Sequence, residues 1–294
     1  MNTLVNWANP YANRKGTWMR GNLHTHTSPA SGCGRVSLEE TLEMYTREGY
    51  DFLSITDHWV LTEASHNKMV LIPGIEWNTP DGGGHTNMIA CDGSILLPHL
   101  QTRCQQELLD DLWAKGALTT LNHPDWQLRP HYRREELEAL SNFDGIEIYN
   151  GACQGAHGSP LSTDKWDYLL TKGKRVLGFA ADDFHDPGHL AQGWIVARVE
   201  ERTPESVMAA VKSGNFYSSS GVELTDIRRE GNVITVESIN GEEIQVIADH
   251  GIVCRKIRDR AVSVDVSGWN TKYVRFAIYG YGSEMAWTQP FFLE

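Results

Sequence analysis

NLHTHT, residues 22–27, places two imidazoles, His24 and His26, at the end of a short strand predicted over 20–24. Alternate positions of an extended chain share a face, so the two rings point the same way. The pattern then returns along the chain. SITDH (54–58) ends a strand in Asp57 and His58, and PGIEW (73–77) delivers Glu76. LNHP (121–124) delivers His123, AADDFH (180–185) delivers Asp183 and His185, and GGGHTN (82–87) adds His85. Mixed imidazole and carboxylate donors suit a divalent metal such as zinc, manganese or iron(II). One such pair carries little weight, but groups repeated at successive strand ends are hard to obtain by accident. A barrel of parallel strands gathers its strand ends at one rim. The pattern therefore speaks to fold and site together.

The segments between these groups support that reading. Ser37-Leu38-Glu39-Glu40 has the form of a capping box opening a helix that runs to Glu48, with Gly49 as its C′ residue. Further strands are expected over 50–56, 69–75, 85–90, 117–121, 145–149, 176–181 and 194–199, with helices over 105–115, 134–140, 163–172 and 204–213. Alternation with short connections implies an α/β barrel or a close variant. The texture changes after Gly221. Segments 233–236, 244–247, 262–266 and 273–278 alternate in the β manner, and Asn240-Gly241 is a hairpin signal. Of twelve histidines only His250 lies in this region. Two units are expected: a metal-binding barrel over 1–221 and a small β-sandwich-like domain over 222–294.

Composition narrows the partners. With 26 basic and 38 acidic residues the formal charge is -12, which argues against a nucleic-acid polymer or an anionic membrane as partner. A small anionic substrate is still compatible, because bound metals dominate the local field. The N-terminus has no apolar leader, and no run approaches the ~18 apolar residues of a membrane span. Five cysteines without a CxxC fit free thiols in a reducing cytoplasm. The expectation is a soluble cytoplasmic protein, with a homo-oligomer compatible.

Taken in order, His24-x-His26, Thr-Asp57-His58, Gly-Ile-Glu76, Asn-His123-Pro and Asp183-x-His185 resemble the PHP (polymerase and histidinol phosphatase) superfamily over about the first two-thirds of the chain. The stretches Ile146-Glu-Ile-Tyr-Asn150, Trp166-Asp167…Gly173-Lys-Arg and Ala286-Trp287-Thr-Gln-Pro290 resemble its bacterial branch with a C-terminal β domain, which includes carbaryl-hydrolase-like proteins. The resemblance implies a distorted (β/α)7 barrel. It implies a first metal on His24, His26, Glu76 and Asp183, and a second on Glu76, His85 and His123, with Glu76 as the bridge. His58 and His185 would hold a third metal where one exists. In one respect the chain departs from the pattern: Ser31 stands where three-metal members carry an Asp, and a neutral hydroxyl is a poor replacement for a carboxylate ligand. Cys33 is near and offers a soft donor once deprotonated. Two firmly bound cations are expected, with a third site weak, or absent unless substrate completes it.

The implied chemistry is hydrolysis of a small phosphorylated metabolite, a monoester or a cyclic or linear diester, by hydroxide bridging the two cations. His58 or His185 would protonate the leaving group, and Arg129 is the first choice for a phosphate clamp, ahead of Arg35 and Lys165. The alternative is hydrolysis of a carboxyl or carbamate ester by the same centre, and a third reading makes the β domain a binding module docked by the barrel. Trp59, Trp77 and Trp126 adjoin the motif groups, either as packing beneath the site or as a wall against a flat moiety. Asp57 is expected to orient an imidazole, and Asp182 to face away from the site. His66, His99, His131 and His189 read as surface residues, and His157 as a loop residue with a substrate contact as the lesser alternative.

Overall fold

The computed structural model describes residues 5–127 and 131–293. The N-terminal two-thirds supplies β1 (Thr17–Asn22), α1 (Leu38–Arg47), β2 (Phe52–Ile55), β3 (Val70–Asn78), β4 (His85–Ile89), α2 (Gln105–Lys115) and β5 (Leu118–Leu121). It continues with α3 (Arg134–Ala139), β6 (Gly145–Asn150), α4 (Thr163–Thr171), β7 (Leu177–Ala181), β8 (Trp194–Val199), α5 (Pro204–Lys212) and β9 (Phe216–Ser219). The remainder is β10 (Leu224–Glu230), β11 (Val233–Ser238), β12 (Glu243–Ala248), β13 (Ile252–Ile257), β14 (Ala261–Asp265), β15 (Tyr273–Tyr279), β16 (Met285–Thr288) and β17 (Phe291–Phe292).

Strands β1, β2 and β3 run parallel, β4 reverses direction between β3 and β5, and β5, β6 and β7 are parallel again. At the other edge β8 runs antiparallel to β1, so two reversed strands distort an otherwise parallel (β/α) wall. Strands β2, β5, β6 and β7 are buried along their whole length, as expected where helices cover the outside and side chains fill the inside. The wall closes at the rim that carries the motifs: His26 N donates to Phe184 O at 2.9 Å, joining the end of β1 to the end of β7. The capping box is formed as expected, with Ser37 accepting from Glu40 N and Glu40 reaching back. Gly49 and Gly116 stop their helices with φ of +75° and +78°.

The C-terminal third differs from its expected form in two ways. Its strands divide between two sheets. One is a small antiparallel sheet, β10-β11-β14; β12, β13, β15, β16 and β17 instead extend the barrel sheet through β9, giving fourteen strands in one sheet. Hydrogen-bonded strands thus cross the expected boundary at Gly221. Asn240-Gly241, moreover, makes no hairpin: β11 pairs with β10 and β14, while β12 pairs with β13 and β15. The Asn240 side chain instead accepts from Glu223 N and donates to Gly221 O, so the turn chemistry serves a crossing between layers. The two layers do face each other, with Ile227, Ile234, Val236 and Val264 packed against Ile244, Val246, Val274 and Phe276. Strands β9, β10, β13, β16 and β17 were not expected from the sequence. Among the described residues no helix is long and apolar enough to cross a membrane.

Candidate metal centre

Glu76 is the hub of the rim. It is buried near the end of β3, and its carboxylate has five imidazoles within 3.5 Å. Oε1 lies 2.9 Å from His85 Nδ1, 3.4 Å from His24 Nε2 and 3.5 Å from His123 Nε2. Oε2 lies 3.1 Å from His26 Nε2 and 3.3 Å from His58 Nε2. Asp183 approaches from the opposite wall, with Oδ1 3.1 Å from His24 Nε2, 3.3 Å from His26 Nε2 and 3.5 Å from His185 Nδ1. Every motif histidine and both carboxylates therefore meet in one place, although Glu76 and Asp183 are more than a hundred residues apart.

Local bonds hold the donors in position. Asn22 donates to His24 O and to the Tyr45 hydroxyl, fixing the turn between the two imidazoles. His24 Nδ1 faces Glu147 Oε1 at 2.7 Å, which leaves Nε2 with its lone pair turned into the cluster. His185 Nδ1 lies 2.7 Å from Asp183 O, which sets that ring in the same sense. His26 Nδ1 faces the Ser31 hydroxyl at 3.2 Å. Asn122 donates to Glu76 Oε1 at 2.8 Å. His123 and Asp183 hold φ of +32° and +51°, a left-handed region that residues with a Cβ rarely adopt and that recurs at functional sites.

The electrostatics show what the cluster attracts. Burial alone would raise Glu76 and Asp183, but the surrounding imidazoles hold both well below the usual carboxylate range. Burial would depress His24 and His26, yet Asp183 and Glu76 outweigh it, holding His24 well above its ordinary value and His26 at about 9. The buried carboxylates thus draw positive charge into a water-poor place, and a divalent cation would supply that charge by displacing protons. Asp183 Oδ1 is buried without a hydrogen bond, as are both ring nitrogens of His131. Buried polar atoms almost always have partners, so these orphans, aimed among donors of metal-ligand type, fit bound cations. Ligand-competent groups form at His24-His26-Glu76, His24-His123-Asp183, His58-Glu76-His85, His85-His123-His131 and His26-Cys33-His185.

Several residues occupy places the sequence reading did not give them. His131 is buried rather than on the surface, its ring 4.7 Å from His85 and 4.9 Å from His123. Burial and its two histidine neighbours push it down to about 3. It lies outside the strand-end pattern, on the loop after LNHP, so periodicity could not find it. His99 is also buried, beside Asp111. Asp57 binds Thr27 N, the Thr27 hydroxyl and the Thr62 hydroxyl, not an imidazole. The imidazole-orienting carboxylate is instead Glu147, which also accepts from His123 N at 2.7 Å and from the Asn150 amide. Its signal was present in the sequence as a lone charge inside the apolar run Gly145-Ile-Glu-Ile-Tyr149. Asp182 does face away, accepting from the backbone of Gln192 and Gly193.

A cavity of about 510 Å³ opens over the centre, lined by Cys33, Arg35, His58, Glu76, His123 and Trp126, among others. Trp77 is wholly buried and donates to Thr102 O, so it is packing; Trp126 is in the wall, and Trp59 is half-buried against Trp77. Lys165 is no clamp, because it is buried and bound to Asp125 and Pro124 O. Arg35 is exposed at the cavity edge, 3.7 Å from Asp186, and His157 is exposed. Arg129 lies outside the described residues. All five cysteines are free thiols. Burial would push the Cys33 thiol up, but His185 and His58 bring it down to about 5.

No family model matches the chain, and no curated protein matches it. Among solved structures it is similar to a two-domain protein from Bacteroides vulgatus ATCC 8482 containing a predicted PHP-like metal-dependent phosphoesterase. That likeness has a TM-score of 0.53 at 16% identity and covers 96% of this chain and 94% of that one. It is also similar to the lesion-specific endonuclease PfuEndoQ from Pyrococcus furiosus, with a TM-score of 0.50 at 13% identity, over 67% of this chain and 56% of that one. At these identities the likeness concerns architecture. The chain has the PHP-type barrel fold, extended by a C-terminal β region.

Proposed function

We propose that this chain is a metal-dependent hydrolase of small phosphoesters. The observation that carries the proposal is one buried carboxylate, Glu76, facing five imidazoles within 3.5 Å beneath an open cavity. His24, His26, Glu76 and Asp183 would hold one cation, and Glu76, His85 and His123, with His131, a second. Bound divalent ions supply Lewis acidity and make hydroxide available near neutral pH. The protein's own part is orientation and proton handling. Glu147 and the Asp183 carbonyl fix the tautomers of His24 and His185. His58, a quarter exposed at the cavity floor, protonates the leaving oxygen.

The cavity volume lies within the roughly 300–1,000 Å³ of small-molecule sites. Together with the net charge of -12, it favours a metabolite over a nucleic-acid polymer. Arg35 at the edge provides a cation for an anionic substrate. The phosphoester assignment is supported by the architecture shared with the Bacteroides vulgatus protein. A second reading, hydrolysis of carboxyl or carbamate esters, is favoured by Trp126, whose indole in the wall suits a flat apolar group.

The test is turnover by metal-reconstituted protein on phosphomonoesters, cyclic and linear phosphodiesters, and aryl carboxyl and carbamate esters. Phosphoester turnover that is lost in His26→Ala is expected. Turnover confined to carboxyl or carbamate esters transfers the assignment to the second reading.

A further inference from the structure

Two observations at the cavity mouth concern a donor outside the Glu76-centred cluster. The first is the fate of Ser31, where a carboxylate is expected on the resemblance drawn from the sequence. Its hydroxyl accepts from the His58 backbone N at 2.9 Å and faces His26 Nδ1 at 3.2 Å, so it braces the His58 backbone and the His26 ring and does not line the cavity. The second is the position of Cys33, two residues further on. Its sulfur stands with ligand atoms of His26 and His185, all within 4.8 Å of one another, and it lines the cavity.

The loop between Thr27 and Val36 accounts for this exchange. Ser28 N donates to Val36 O, and Gly34 N to Ser31 O, which folds residues 31–34 back over the rim. A Cβ on Gly34 would come within 2.7 Å of the Thr27 backbone, so the chain can make this return only with glycine there. Arg35 N donates to His185 O at 2.8 Å, tying the loop to the segment that carries the partner imidazole. His185 Nδ1 is already engaged by Asp183 O, so its Nε2 is the nitrogen left for a ligand.

We propose that Cys33 and His185 form a third cation site beside His26, which stays with the first cation, and that a thiolate there takes the part of a carboxylate. The inference rests on the metal-centre reading above and extends it. Ligands on a zinc-like ion at about 2.0–2.3 Å stand roughly 3.3–3.8 Å apart, so small side-chain adjustments bring the Cys33 sulfur and His185 Nε2 onto one ion. With only two donors outside the Glu76 cluster, the site is the weakest of the three, and water or a substrate oxygen completes it. Sulfur ligation also biases the site toward zinc, cobalt or iron(II) over manganese or magnesium. The sulfur binds as the thiolate, and no redox change is involved.

The experiment is titration of metal-depleted full-length protein with Co²⁺, following metal content and the near-ultraviolet sulfur-to-cobalt charge-transfer band. That band is expected to grow with the last and weakest equivalent. Cys33→Ala should lack the band and bind that equivalent at least about tenfold more weakly, while retaining the earlier ones. Cys33→Asp should recover the equivalent without the band, which shows that the loop still folds. Wild-type protein that binds Co²⁺ without a band, or a band that survives in Cys33→Ala, overturns the sulfur site and leaves the Glu76 centre standing. Wild-type protein that binds no Co²⁺ at all overturns both.

Discussion

At the residue scale, the candidate ligands are positioned by the groups behind them. Glu147 touches His24 Nδ1 with one oxygen and His123 N with the other, joining donors from two strand ends. Replacing it by Gln keeps the shape but must present an amide N–H to one of these partners, each of which is itself served by an acceptor. Glu147→Gln is expected to lower cation affinity by roughly 10–100-fold, the usual cost of losing such a partner, as measured by chelator competition. The motif imidazoles were legible in the sequence because each ends a strand. His131 was not, since it follows LNHP outside the strand-end pattern; Glu147 left a mark as a lone charge in an apolar strand, but nothing in the sequence says that it faces an imidazole.

At the element scale, strands were placed correctly where burial is on both faces and the apolar run is uninterrupted. Helix α1 followed from its capping box and α2 from Gly116 at its end. The close approach of neighbouring strands also left a sequence mark in Gly-Ile-Glu76. A Cβ on Gly74 would stand 2.3 Å from Ser54 Oγ and 2.8 Å from Thr56 Cγ2, so β3 can lie this near β2 only with glycine. The same approach sets Glu76 N against Thr56 O and aligns the carboxylate with the rim. Gly74→Ala is expected to cost about 1–3 kcal/mol from overpacking, read as a lower urea midpoint, and to weaken cation binding because β3 must shift. The turn at Asn240-Gly241 shows the converse: a correct local signal for a turn does not say which strands the turn joins.

At the scale of the whole molecule, the barrel and the C-terminal strands share a sheet and a core. Trp287, Tyr273 and Ile247 belong to the same apolar cluster as Trp166, Leu169 and Ile148. Arg275 forms a two-point contact with Asp167 at 2.7 and 2.6 Å, and both are buried. The Gln289 side chain pairs with Gly178 N and O in β7. Asp167→Ala would strand a buried guanidinium and is expected to cost about 3–5 kcal/mol. Since the contact spans both regions, the loss should lower one calorimetric transition for the whole chain. Two separate transitions, with only one displaced, would contradict the shared core.

The sequence by itself determined the class of fold and the candidate donors at the strand ends. Both are periodic: burial on alternate or successive positions writes strands, and a ligand at each strand end writes a rim. Tertiary structure alone decided how those donors group, that Glu147 rather than Asp57 orients an imidazole, that His131 is inside, and that the C-terminal strands continue the barrel sheet. These depend on which distant segments meet, and contact between segments leaves no period in the chain.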